Sequence, residues 1–103
     1  MGLKKNEHSK IERRLSRALR AACKVAENEV SGFAWVTHAV DYKEYPDTLM
    51  VTWVFDSPAS LREAMENGVH DRLCTLTAEA FAKSGVRIED ATPHVRFDHE
   101  RTR

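Results

Sequence analysis

Apolar residues recur at three- and four-residue spacing through Ile11, Leu15, Ala18, Leu19, Ala22, Ala26 and Val30. That period predicts an amphipathic helix with one buried stripe. Ser9-Lys10-Ile11-Glu12 reads as a capping box at its start: the serine oxygen takes an orphan N–H and the glutamate reaches back. Ser31-Gly32 stops it, glycine being free to take the left-handed cap conformation. Residues 1–8 are then a basic arm, and 9–103 form a single domain.

The pattern next changes to valine, threonine and aromatic residues over 33–43 and 49–56, which predicts two strands. Pro46-Asp47 between them suits a tight hairpin turn, placing Tyr42 opposite Val51, Val40 opposite Trp53 and His38 opposite Phe55. One face then carries Val36, His38, Val40, Tyr42, Val51, Trp53 and Phe55. Trp35, Thr37, Asp41, Lys43, Met50, Thr52 and Val54 fall on the other, as in a sheet with one buried face. A one-residue slip would exchange the two faces.

Ser57-Pro58 opens a short helix, with serine as cap and proline in the first turn. Asn67-Gly68 breaks it, the alternative being one longer helix with a weak point there. Leu73, Leu76, Thr77, Ala80 and Phe81 form the inward side of the following helix, which stops at Ser84-Gly85. Val86-Arg87-Ile88 suits a short extended piece, and Val95 and Phe97 alternate within a last strand over 94–98. The expected fold is a single α+β domain in the order helix, strand, strand, helix, helix, strand. Its three-stranded sheet carries its helices on one face.

Composition changes little in this picture except through charge. The 103 residues hold 16 basic and 16 acidic side chains, and 42% of residues are hydrophobic. That is enough for one modest core and argues against wholesale disorder. No apolar run approaches a membrane span, and no secretory signal is visible at the N-terminus, so the expected address is the cytoplasm. Cys23 and Cys74 fit neither a disulfide framework nor a zinc motif. The charges, however, are segregated. Residues 1–24 hold eight basic residues against Glu7 and Glu12, whereas residues 25–103 hold eight basic and fourteen acidic ones. At 100° per residue, Lys10, Arg13, Arg14, Arg17, Arg20 and Lys24 form a continuous stripe opposite the apolar one.

The order of elements resembles the type II KH-like arrangement of RNA-binding KH domains, a ribosome-maturation factor and the BolA-like proteins. KH domains place a Gly-x-x-Gly loop between the two helices to clamp a nucleic-acid backbone. Here that position reads Gly68-Val69-His70-Asp71, with the first glycine only. BolA-like proteins carry a His-Arg-rich tract, echoed here by His70-Asp71-Arg72-Leu73. The resemblance implies a bacterial RNA-binding or ribosome-associated module, with Gly68 and His70 as the positions able to take a family role.

The stripe has two readings: a phosphate-binding surface, since neutralised phosphates release counterions, or a solvated helix face. Trp35, near Met50 and Val54, also has two. It stacks on a base or anchors a contact with a protein partner or a second copy, or it fills a core if the faces are exchanged. His38 on the apolar face reads as a hydrogen-bonded structural histidine. His94 and His99 differ in strand parity and are expected on opposite faces. No catalytic motif, metal site or cofactor fingerprint stands out. The expected function is a non-catalytic binding module for RNA, and the alternative is a protein-interaction or homodimerisation domain using the face around Trp35.

Overall fold

The computed structural model describes residues 5–101. Its elements are helix α1 (Lys5–Glu29), strand β1 (Phe33–Ala39), strand β2 (Met50–Phe55), helix α2 (Pro58–Glu66), helix α3 (Val69–Ser84) and strand β3 (Val95–His99). Short 3₁₀ turns at Tyr42–Glu44 and Thr92–His94 interrupt the connections. The sheet runs β1-β2-β3, with β1 antiparallel and β3 parallel to the central β2. The expected α+β order and the one-sided helical layer are both present.

The core lies between the sheet's inner face and the helices. Val51, Trp53 and Phe55 of β2 are fully buried among Leu15, Leu19 and Ala26 of α1 and Leu73, Leu76 and Phe81 of α3. Parallel pairing of β2 with β3 requires a crossover, which α2 and α3 supply. Ser57 caps α2 through its Oγ, which accepts from Ser60 N–H at 3.0 Å, and Pro58 occupies the first turn. The break at Asn67-Gly68 is real: Gly68 adopts φ 76° between the helices, and Gly85 closes α3 at φ 80°.

Helix α1 begins earlier than the capping box suggests. Residues 5–8, expected in a basic arm, are already helical, and Ser9 lies inside α1. Two tertiary contacts explain this. His8 stacks on Tyr42 with ring centroids 4.6 Å apart, anchoring the extra turn. Glu12 turns to His38 and Tyr42 rather than back to the Ser9 backbone.

The hairpin also differs. The strands separate after Ala39↔Met50, and no two-residue turn forms at Pro46-Asp47. Residues 40–49 fold into their own loop, in which Asp41 Oδ1 accepts Lys43 N–H and Thr48 Oγ1 accepts Asp41 N–H, each at 2.9 Å. The Tyr45–Pro46 peptide is cis. These local bonds compete with the ladder and remove Tyr42 from it. His38, rather than Tyr42, therefore faces Val51, and Val36, rather than Val40, faces Trp53. The displacement is four residues, an even number, so the strand residues keep their expected faces. Val86 to Ile88 form no strand, although Val86 is buried.

Candidate nucleic-acid interface

All six stripe residues, Lys10, Arg13, Arg14, Arg17, Arg20 and Lys24, are exposed on α1. Their spacing sets like charges one turn apart: Lys10 with Arg14, Arg13 with Arg17, and Arg20 with Lys24. Each such pair is mildly destabilising in an isolated helix. None of the six makes an ion pair among the described residues.

Of the four acids of the same helix, Glu7 lies one turn before Lys10 in the exposed first turn, and the other three, Glu12, Glu27 and Glu29, are engaged elsewhere. Glu12 Oε2 lies 2.8 Å from His38 Nε2 and accepts from Ser16, while Glu12 Oε1 accepts the Tyr42 hydroxyl at 2.7 Å. Glu27 accepts the Cys23 thiol, and Glu29 is held bidentately by Arg72 at 2.8 and 2.9 Å. Partial burial works against charge on Glu12, yet its bonds from Tyr42, His38 and Ser16 outweigh it and hold the carboxyl below its usual range. Burial and the Glu12 carboxylate push the Tyr42 phenol well up. Glu12 is thereby committed to joining α1 to the β1–β2 connection.

The basic surface is wider than the stripe. Lys83, at the end of α3, shares a shallow depression with Arg14, Arg17, Ala18 and Ala21. Lys10, Arg13, Arg14 and Arg17 line an adjoining one. Lys83 was not legible as part of this surface, because only the antiparallel packing of α3 on α1 brings it there.

Gly68 and His70 do not join this surface. The Arg72–Glu29 pair fixes the start of α3 at the far end of α1. At 1.5 Å per residue, Glu29 lies about 28 Å along the helix from Lys10 and about 8 Å beyond Lys24, the last residue of the stripe. The His70 ring rests against Phe97, with centroids 5.2 Å apart, and its Nδ1 lies 3.1 Å from Asp71 Oδ1. The strand-parity expectation for His94 fails because His94 belongs to a 3₁₀ turn rather than to β3. Its Nδ1–H donates to Leu49 O at 2.7 Å and its ring meets Phe81, placing it on the core side.

Burial, reinforced by Glu27, raises the Cys23 thiol pKa; burial, then Asp71 and Asp90, raises that of Cys74. Neither is an activated thiolate. Among the described residues, no group of three His, Cys, Asp or Glu side chains converges to hold a metal ion, and no helix is long and apolar enough to cross a membrane. On the other side of the molecule, Trp35 is 46% exposed on the outer sheet face, outside the core.

No protein-family model, curated protein or solved structure matches this chain.

Proposed function

We propose that the chain is a non-catalytic binding module of the bacterial cytoplasm that holds RNA, ribosomal RNA among the candidates, on the basic face of α1. The observation carrying this reading is the concentration of six exposed cations without ion-pair partners among the described residues, on a helix whose Glu12, Glu27 and Glu29 are engaged elsewhere. A phosphate backbone would relieve the self-repulsion and release counterions on binding. The residues argue for phosphate. RNA as its source rests on the resemblance in element order to KH-like domains. Lys10, Arg13, Arg14, Arg17, Arg20 and Lys24 carry the contact, with Lys83 extending it. Gly68 and His70 form a separate contact beyond the Lys24 end of the stripe, about 28 Å along the helix from Lys10.

The test is fluorescence anisotropy with a labelled structured RNA, a single strand and a DNA duplex of equal length, each titrated at several salt concentrations. The logarithm of affinity is expected to fall with the logarithm of salt by about 0.7 to 0.9 per phosphate held. Arg13→Glu/Arg17→Glu, checked for folding by circular dichroism, should weaken binding to all RNA sequences alike. Absence of binding at low salt, or binding indifferent to salt, refutes the reading. Preference for the DNA duplex keeps the phosphate surface and removes RNA.

A further inference from the structure

The helices all pack on one face of the sheet, and among the described residues no element covers the other. The bare face is built in rows by the strand register. Trp35, Val54 and Asp98 form one row across β1, β2 and β3; Thr37, Thr52 and Arg96 form the next; Ala39 and Met50 close it. Val54 is buried to 7% exposure yet does not belong to the core cluster, and beside it Trp35 is the most exposed large hydrophobic side chain among the described residues. An open tryptophan beside an apolar centre, rimmed by threonines, Arg96 and an Asp98 that Arg101 reaches at 3.4 Å, has the composition of an interface.

We propose that this face is the contact between two copies of the chain, packed sheet to sheet about a two-fold axis. The charge pattern selects the occupant, because it is complementary to itself. With the axis running across the strands between the first two rows, Arg96 of each copy faces Asp98 of the other, joining the Arg101 that reaches Asp98 from its own chain, and the bond is made twice. Trp35 of each copy then lies over β1 of the other. A two-fold contact requires this reciprocity. Strands of up to seven residues at about 3.4 Å each, three abreast at about 4.8 Å, give a face roughly 24 by 14 Å. With side-chain relief this buries on the order of 500 Å² per copy, at the lower limit of specific interfaces, so the dimer is concentration-dependent.

The inference is independent of RNA binding, since α1 lies on the opposite side of the sheet. Its test is sedimentation equilibrium of the full chain, without nucleic acid, from micromolar to near-millimolar concentration. The expected mass rises from 11.8 kDa towards twice that value. Trp35→Glu should stay at one chain mass, while fluorescence of the buried Trp53 confirms that it folds. Arg96→Asp and Asp98→Arg should each weaken association, and the double exchange should restore it. A wild-type chain that remains monomeric throughout overturns the inference. So does a dimer that persists in Trp35→Glu, or a double exchange as monomeric as either single variant.

Discussion

The indole N–H of Trp53 donates a 3.0 Å hydrogen bond to Thr77 Oγ1, and both side chains are fully buried. Thr77 in turn donates to Leu73 O at 2.8 Å, so its hydroxyl links the central strand to the α3 backbone. One polar relay thus fixes the largest core side chain against a helix that otherwise meets the sheet through apolar contacts. It also explains how a threonine is tolerated at 0% exposure in mid-helix.

Thr77→Val is nearly isosteric and leaves the Trp53 donor buried without an acceptor. The expected cost is about 1 to 3 kcal/mol, read from urea unfolding. Thr77→Ser keeps the acceptor and should cost less than the valine variant. A valine variant as stable as wild type would show that the bond contributes nothing.

The Glu12 network predicts stability that falls at both extremes of pH. Glu12 is held below its ordinary value of 4.5, so its contribution is full above that pH and is lost as pH falls through the folded value. Tyr42 is raised above its ordinary 10.0, so its contribution is full below that pH and is lost as the phenol ionises above it. Urea midpoints should therefore decline on the acid side more steeply in wild type than in Glu12→Gln. Parallel acid limbs would mean that Glu12 does not set the acid dependence.

Much of this architecture can be read from local signals. The 3.6-residue period of α1, the Ser57-Pro58 start and the Gly68 break are determined within a few residues of themselves, and the structure has them. The failures fall where distant side chains compete with local rules. Ser9 and Glu12 have the spacing of a capping box, but Glu12 finds His38 and Tyr42, 26 and 30 residues away. The turn at Pro46-Asp47 gave way to bonds among Asp41, Lys43 and Thr48 that no strand pattern encodes. The basic stripe was visible because helix period alone defines it, whereas Lys83 joins it only through helix packing. Even strand displacement kept the outer face around Trp35 legible despite the wrong register.

Gly32 is the most constrained glycine of the described residues. It adopts φ +81°, and an added Cβ would lie 2.5 Å from Ser60 Oγ and 2.6 Å from Ser60 Cβ. Gly68 and Gly85 have similar angles, but a Cβ at either would meet open space. Alanine at 68 or 85 should cost about 1 to 2 kcal/mol for the left-handed backbone alone. Gly32→Ala adds the clash and should cost more than either, as thermal unfolding of the three variants would show. Equal losses would mean that Ser60 moves aside freely.

Lys83 gives the sharpest check on where the polyanion sits. It enters the basic surface only because α3 runs antiparallel to α1 and ends beside Arg14 and Arg17. Lys83→Glu should weaken binding of a short RNA uniformly across sequences, with the salt slope reduced by about one, as expected for loss of a phosphate contact. His70→Ala, beyond the Lys24 end of the stripe, should leave unaffected a short RNA held at Arg14, Arg17 and Lys83 and weaken only one long enough to reach past Lys24. The pair of variants separates a localised phosphate surface from a diffuse response to net charge. Under the diffuse alternative, Arg62→Glu on α2 would reduce affinity as much as Lys83→Glu, since both change the net charge equally. Matched losses in those two variants would remove the case for a site on α1.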